Sequence, residues 1–325
     1  MGRNSVVGIN FVRGDLLRTI EDIGHVENGN EIYTYGNPGE GIGAIETNTS
    51  GLTKPFPIPK AKREYTAVEL SANRRFRGNW FVGGSYTISH LYGNYPGLVN
   101  TDEVTYPGRV SVGAQEGFGQ RTRPGTAASR AFDFDQILFD SHGNVGVDGV
   151  LPTDRPHNVK LYGSYLLKTN TNVGVNFRAS SGTPRTETVQ SSLQAPLMVE
   201  GRGNLGRTPF FTQTDLLISQ AVTLGSKRLT FELNILNLFN QKTALHYFDN
   251  LNRIAANGRR LASSGLNLSN VDLLKGYDYL AILATTPDAQ KPASAPVSGY
   301  KDPRYGMADM FNPGFDARLG IRFSF

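Results

Sequence analysis

The feature that most constrains the fold is an alternation of apolar and polar residues with a period of two. In WFVGGSYTISH, Trp80, Val82, Tyr86 and Ile88 share one side, because neighbouring residues of an extended strand point to opposite faces. The pattern recurs and predicts eight β-strands. The segments that carry it are SVVGINFVRGDLLRTI, EYTAVELSANRRF, WFVGGSYTISH, HNVKLYGSYLLK, NVGVNFRAS, TDLLISQAVTL, RLTFELNILNLF and ARLGIRFSF.

The connections between these strands alternate strictly between short and long. The short ones are Arg77-Gly78-Asn79, Thr169-Asn170-Thr171 and Gly225-Ser226-Lys227, which are typical of hairpin turns. All short turns therefore lie at one end of the sheet and all long loops at the other. Such loops are unusual in a compact soluble domain and expected of an outer-membrane barrel. The predicted long loops span roughly residues 24–63, 92–156, 181–210 and 241–316.

The composition favours an all-β membrane protein. The chain of 325 residues has 37 Gly, 14 Tyr and 18 Phe, and its mean hydropathy is −0.32. It has no run of about 18 apolar residues, so no transmembrane helix is expected. The strands of a membrane barrel alternate apolar and polar residues, so a search for long apolar runs does not detect them.

The strands themselves favour a membrane barrel. Their polar faces are mostly small or uncharged residues, and strands of roughly 11–13 residues are long enough to cross a bilayer at a tilt. We therefore predict an antiparallel transmembrane β-barrel. The aromatics expected to form its girdles are Tyr65, Phe76, Trp80, Phe210, Phe211 and Phe239.

Composition also excludes several kinds of chemistry. The absence of cysteine rules out disulfides, thiolate metal sites and cysteine nucleophiles. The net charge is +5, but Lys and Arg are scattered, with NRRF and NGRR the densest spots; we predict no nucleic-acid binding. MGRNSVVGIN lacks the apolar core of a signal peptide. The sequence is therefore expected to be either cytoplasmic or part of a longer protein.

No enzymatic site or cofactor is predicted. GRGNLG matches a dinucleotide-binding pattern, but a proline and a strand pattern follow it instead of a helix, so we interpret it as a loop glycine cluster. The five histidines lack metal-ligand spacing, and Glu69 and Glu232 are expected to line a pore. One acidic segment leaves calcium binding and a solvated loop as alternatives. Its acids are Asp133, Asp135, Asp140 and Asp148.

Four segments resemble TonB-dependent outer-membrane receptors. The runs ELSANRRFRGNWFVGGSYTIS and DRPHNVKLYGSYLL resemble barrel strands, and the segment ending in NILNLFNQ is similar to the late barrel hairpin. The final segment, DPRYGMADMFNPGFDARLGIRFSF, resembles the C-terminal strand. The stretches RTIEDIGH, YTYGNPGEG and TDRPH are similar to the Oar-like branch, whose members carry an N-terminal carboxypeptidase-regulatory-like domain. The resemblance implies energy-coupled uptake across the outer membrane of a Gram-negative bacterium.

The sequence also departs from that family. Such receptors close a barrel of about 22 strands around a plug, whereas the pattern here predicts eight strands, or up to ten. The signal peptide, plug and early strands are absent from residues 1–325, which are therefore expected to be the C-terminal part of a receptor that does not transport alone. The resemblance implies contacts with outer-membrane lipid, the barrel-assembly machinery and, through the missing portion, a TonB-type energy-transducing complex. A small molecule such as a siderophore, a peptide and a glycan remain open as substrate.

Two sets of residues are candidate functional sites. In the last strand, Leu319, Ile321, Phe323 and Phe325 form an apolar stripe that resembles the signal read by the assembly machinery. In the long loops, aromatic side chains are predicted either to contact substrate or to pack the loops against each other. These are Tyr92, Tyr95, Tyr106, Phe132, Phe134, Tyr277 and Tyr279.

Two other architectures fit the same alternation. A small, self-contained eight-stranded barrel with a structural or adhesion role predicts that the first and last strands pair. A soluble two-sheet binding module or enzyme predicts a monomer that needs no detergent.

Overall fold

The structure, a computed structural model, contains one large antiparallel sheet. It describes residues 4–27, 30–44, 58–100, 127–128, 130–133, 135–191, 196–252, 265–285 and 301–325. Eight long strands follow one another as a meander, each paired with its neighbour in sequence, so the eight predicted strands are confirmed. They are β1 (Ser5–Asp15), β2 (Arg63–Arg77), β3 (Trp80–Gly93), β4 (His157–Leu166), β5 (Thr171–Ser180), β6 (Phe211–Leu224), β7 (Lys227–Leu236) and β8 (Asp316–Ser324). The short segment Gly149–Val150 also pairs with β3.

The three short turns lie where the sequence predicts them. Between β2 and β3, Gly78 and Asn79 both have positive φ, at 63° and 69°. Asn170 precedes β5 with φ of 60°, and Gly225 follows β6 with φ of 63°. Glycine and asparagine tolerate this left-handed conformation, which matches the twist of a tight hairpin. The local sequence therefore sets the position of these turns.

The strand register brings the apolar positions onto one continuous face. One row across the sheet joins Trp80, Tyr165, Val173, Ile218, Leu233 and Leu319 through successive strand pairs. On the opposite face, a row of polar residues joins Ser71, Ser85, Lys160, Arg178 and Gln213. Side chains on the apolar face are exposed, at 37% for Trp80, 50% for Tyr165 and 86% for Leu319. The predicted division of the sheet into an apolar and a polar face is confirmed. Among the described residues, no protein layer packs on the apolar face.

Exposed aromatic side chains lie at both ends of the strands. Phe76 and Trp80 flank the turn between β2 and β3, while Phe210 precedes β6 and Phe239 follows β7 at the other end. This placement agrees with the predicted pair of girdles.

The sheet has two open edges. In the described residues, β1 pairs only with β2, and β8 pairs only with β7. Ile9 and Phe11 on β1 are 72% and 70% exposed, and Ile321 on β8 is 71% exposed. The pairing of first and last strands that a self-contained small barrel requires is not observed.

The long connections contain secondary structure of their own, which the alternation in the sequence does not predict. Together, the described residues of 16–44, 58–62, 94–156, 181–210 and 237–315 form what we call the loop cap. Short paired strands within it are Glu21–Glu27 with Asn30–Gly36, Val99–Asn100 with Ala127–Ala128, Val189–Gln190 with Pro196–Leu197, and Ala244–Tyr247 with Ala308–Phe311. Its helical segments are Gly41–Ala44, Asp135–Leu138, Leu273–Lys275 and the α-helix Tyr279–Thr285. No helix in the described ranges is long and apolar enough to cross a membrane.

Among the described residues, the fully buried apolar side chains lie in this cap and not in the sheet. Phe139, Leu197, Leu266 and Leu273 are all 0% exposed, and Leu283 is 1% exposed. They belong to one cluster to which all four long connections contribute. The cap therefore has its own hydrophobic core. The sequence hides it because its members follow no regular spacing.

Candidate functional site: the loop cap

The four long connections are hydrogen-bonded to one another into a single unit. Backbone groups of the first connection bond to the second, the second to the third and fourth, and the third to the fourth. These bonds run from Gly24 N to Phe132 O (3.2 Å), Ser141 N to Val199 O (2.8 Å), Tyr277 N to Ser141 O (2.8 Å) and Thr188 N to Asp249 O (3.0 Å). Buried backbone groups must find such partners, so the cap is held in one arrangement.

An arginine–carboxylate pair links the third and fourth connections. Arg185 Nε and Nη2 donate to the two carboxylate oxygens of Asp249, at 2.9 and 2.6 Å. The guanidinium also lies 4.0 Å from the ring centroid of Tyr247. The side chains of Arg185 and Asp249 are only 20% and 11% exposed. A bidentate pair this shielded from water is stronger than an exposed ion pair.

A second buried carboxylate, Glu187, gathers two tyrosines from the fourth connection. Glu187 is 8% exposed. It accepts hydrogen bonds from the hydroxyl of Tyr279, at 3.1 Å, and from that of Tyr305. Burial, together with the neighbouring Glu187 charge, raises the pKa of both phenols well above its ordinary value. Both tyrosines therefore remain neutral donors at physiological pH.

The TDRPH segment fastens the cap to the sheet. The carboxylate of Asp154 accepts hydrogen bonds from Leu91 N at 2.7 Å and from Arg207 Nη2 at 2.5 Å. Arg155 donates to Ser180 Oγ at 3.0 Å and to Ser181 O at 2.7 Å, and burial lowers its pKa. These contacts join β3 and β5 to the third connection. TDRPH, one of the segments that carry the family resemblance, therefore joins the loop cap to the long-loop end of the sheet.

Two of the predicted loop aromatics are buried. Tyr95 and Phe132 are 4% and 2% exposed, with ring centroids 6.3 Å apart. The Tyr95 hydroxyl donates to Glu21. Burial and this bond raise the pKa of Tyr95 to about 12. These two rings pack the first connection against the second, which was one of the two predicted roles.

Three other predicted aromatics are half-buried. Tyr92 lies at the end of β3 with Lys62 Nζ 5.1 Å from its ring centroid. The hydroxyl of Tyr277 is buried without a hydrogen-bond partner among the described residues, and Tyr279 bonds Glu187. Tyr106 and Phe134 lie outside the described residues. Substrate contact by this set stays a prediction.

The acidic segment around Asp133–Asp148 is not a solvated loop. Leu138 and Phe139 within it are 4% and 0% exposed, because they belong to the cap core. Asp140 accepts hydrogen bonds from the backbone N–H groups of His142 and Asn144, both at 2.9 Å, and so closes a local turn. Asp133 also pairs with Arg130 at 2.8 Å, and Asp148 lies 3.6 Å from Lys62 Nζ. No group of three His, Asp or Glu side chains in the described residues could hold a metal ion.

The glycine cluster at residues 201–206 shapes a turn of the third connection. Gly201, Gly203 and Gly206 have φ of 77°, 73° and 79°, a region that favours glycine. Between them, Arg202 donates to Val147 O at 3.1 Å and to Asn94 O at 3.0 Å. The next regular element is the strand β6 and not a helix, so the dinucleotide pattern lacks its required context.

Sequence reasoning missed Arg185, Glu187, Arg207 and Asp249. Arg185 and Asp249 are 64 positions apart, and Glu187 and Tyr305 are 118 apart. No local spacing can reveal such pairs. The only signal in the sequence for these buried pairs is indirect, namely charged residues within loops that also contain apolar residues.

Comparison with known proteins agrees with the fold. No protein-family model matches the chain. Over 245 residues it is 32% identical to the TonB-dependent transporter Oar of Myxococcus xanthus, an alignment that covers 73% of this chain and 19% of that protein. This chain therefore spans about a fifth of the length of the curated relative it matches.

A solved structure shows a more distant likeness. The ferric-catecholate import receptor Fiu of E. coli K12, in its closed form, aligns with 79% of this chain and 23% of its own, with 14% identity and a TM-score of 0.36. That likeness is too weak to add to the assignment, which depends on the sequence identity to Oar and on the meander of eight long antiparallel strands. The chain belongs to the TonB-dependent receptors, in their Oar-like branch.

Proposed function

We propose that residues 1–325 form the C-terminal part of the barrel and the external loops of an outer-membrane receptor for energy-coupled substrate uptake. The observation that carries this proposal is the polarity of the sheet. In the described part of the chain, one face of the sheet is continuously apolar and carries no protein layer, the other face is polar, and the folded loops lie at one end. A wall between lipid and an aqueous lumen needs this arrangement, and transport is what the Oar relative is named for.

The open edges support a segment of a larger barrel. A lipid-exposed edge would leave backbone N–H and C=O groups without partners, at a cost of several kcal/mol each. β1 and β8 would pair with further strands of the same receptor. Coupling to a TonB-type complex would then run through the portion of the receptor beyond this chain. A small closed barrel gains no support, because β1 and β8 do not pair in the described residues.

Substrate binding is assigned to the outer surface of the loop cap. Tyr92, Tyr277 and Tyr279 are the candidate contacts, since each keeps part of its surface accessible. Tyr95 and Phe132 would act by holding the loops together. The chemistry of the cap is compatible with a small molecule, a peptide or a glycan.

The last strand is assigned to assembly. Leu319, Ile321 and Phe323 lie on the apolar face, and the ring of Phe325 follows, 6.0 Å from that of Phe323. The four side chains are 86%, 71%, 51% and 97% exposed. A stripe this accessible can be read by the barrel-assembly machinery before it meets lipid.

Cysteine labelling in cells tests the location and orientation together. Residues 1–325 contain no cysteine, so in an intact receptor whose other cysteines are replaced by serine, Ser226→Cys in a short turn and Lys275→Cys in the cap each give one reactive site. We expect a membrane-impermeant maleimide to label Lys275→Cys on whole cells, and Ser226→Cys only after the outer membrane is permeabilised. Equal labelling of both on whole cells, or recovery of the protein in the soluble fraction, would contradict the proposal.

A further inference from the structure

The short turns carry a concentration of positive charge. Residues 72–82, 163–173 and 221–230 hold six Lys or Arg and no Asp or Glu. None of these six is in an ion pair within the described residues, whereas cap cations such as Arg185 and Arg207 are paired. We call the six the basic rim. Its members are Arg74, Arg75, Arg77, Lys168, Lys227 and Arg228.

The topology sets the spacing of the basic rim. The three turns follow β2, β4 and β6, so neighbouring turns are two strands apart along the same end of the sheet. Two strand spacings amount to about 10 Å. The cations therefore form a row along one border of the apolar face, although they are far apart in sequence.

Two rim cations point to the apolar side of the sheet. Arg74 pairs across strands with Val82, and Lys227 pairs with Leu224. The Arg74 guanidinium lies 3.3 Å from the ring centroid of Trp80, to whose carbonyl it donates at 3.0 Å. Arg74 and Lys227 therefore lie at the short-turn border of the apolar face of the sheet.

An aromatic ring accompanies both outward cations. Lys227 Nζ is 5.8 Å from the ring centroid of Phe323, and Trp80 lies beside Arg74. Aromatic rings with a cation above them suit the boundary between acyl chains and headgroups.

We propose that the basic rim binds the phosphate groups of anionic phospholipids in the leaflet at the short-turn end. Six unpaired cations repel one another, and phosphates at headgroup depth neutralise that repulsion while the acyl chains cover the apolar face. Lys and Arg beside a membrane attract anionic lipid in this way. The inference rests on the proposed membrane location. An acidic protein surface fits less well, because Arg74 and Lys227 flank the apolar face itself.

The single tryptophan provides a direct test. Trp80 is the only tryptophan of the chain and lies in the basic rim. The intact receptor, with any tryptophan outside residues 1–325 replaced by phenylalanine, is reconstituted in phosphatidylcholine bilayers that contain equal mole fractions of either brominated phosphatidylglycerol or brominated phosphatidylcholine, both of which quench tryptophan on contact. We expect the anionic lipid to occupy the Trp80 site with at least about a fivefold higher relative affinity. Raising the salt concentration should reduce this preference.

Matched variants separate the rim from overall charge. In Arg74→Gln/Lys168→Gln/Lys227→Gln the preference should fall close to one. Because Arg74 touches Trp80, Lys168→Gln/Lys227→Gln serves as a second variant and should give an intermediate value. The control Arg18→Gln/Lys275→Gln/Arg318→Gln removes the same charge from the other end of the molecule and should retain the preference.

The outcomes also distinguish the two proposals. Equal quenching by both brominated lipids in the wild type, or a preference that survives in the triple rim variant, would overturn lipid binding while leaving the membrane barrel intact. If brominated phosphatidylcholine does not quench Trp80 at all, the rim does not reach the bilayer, and both the membrane location and the lipid site fail.

Discussion

Arg185 holds Asp249 by two hydrogen bonds, of 2.9 and 2.6 Å, across 64 positions of sequence. The pair joins two loops that leave the sheet at different strands. Its function is therefore to fix the relative position of those loops, and with them the surface that the receptor presents at its loop end.

Removing the charge of Asp249 should loosen the cap. We expect Asp249→Asn to lower the free energy of unfolding by about 2 kcal/mol, because the guanidinium of Arg185 would keep its shielded position without its counter-charge. Asp148, whose side chain is 39% exposed and lies 3.6 Å from Lys62, provides the control. Asp148→Asn should change that free energy by less than about 0.5 kcal/mol. Urea titration of both variants measures this difference. Equal effects would contradict the conclusion that the Arg185–Asp249 pair stabilises the loop cap.

Two adjacent leucines test the cap core. Leu273 is 0% exposed and Leu274 is 51% exposed, so the same truncation can be compared at neighbouring positions. Leu273→Ala should cost about 2–5 kcal/mol through lost burial and the cavity left behind, and Leu274→Ala less than about 0.5 kcal/mol. Hydrogen exchange of the backbone amides in the loop cap measures the loss of stability in each variant. Similar protection in both variants would mean that the cap is not held by this cluster.

Alkaline pH should weaken the contact between the first and second connections. The pKa of Tyr95 is raised to about 12 from the ordinary 10.0. Its contribution to stability is therefore complete below pH 10 and is lost as the pH rises through 12. Tyrosinate absorbance of wild type and Tyr95→Phe should differ by one group that titrates near pH 12. A difference spectrum centred near pH 10 would show that Tyr95 is not shielded.

Pairs of introduced cysteines test the open edges. Leu233 and Leu319 face each other across β7 and β8, and Leu233→Cys/Leu319→Cys should oxidise readily. Ile9→Cys on β1, combined in turn with Cys at 317, 319, 321 and 323, should give little cross-linking within one chain. Efficient cross-linking of Ile9→Cys to any of these positions would indicate a closed eight-stranded barrel and would contradict the proposed segment of a larger one.

The terminal stripe can be tested in the intact receptor. Deleting Phe325, which is 97% exposed, should reduce the amount of heat-resistant folded barrel in the membrane several-fold more than Ser324→Ala. Ser324 lies on the other face of β8, so its loss leaves the apolar stripe unchanged. Mild and equal effects of the two changes would argue against an assembly signal.

The sequence by itself determined the strands, the turns and the division of the sheet into two faces. These depend on neighbours: a period of two assigns Val173 and Ile218 to the apolar side, and a glycine at 78 or 225 permits the left-handed backbone of a tight turn. The same local patterns carried the family resemblance.

Only the tertiary structure decided the cap and the basic rim. Leu266 and Phe139 belong to one core, Glu187 contacts Tyr305, and Arg74 and Lys227 lie along one border of the sheet, although none of these pairs is local in sequence. Scattered loop charges and scattered basic residues were all that the sequence offered for them. Contacts between distant positions arise when strand pairing brings the loops together, and no periodicity of the chain records which loop side chains will then be neighbours.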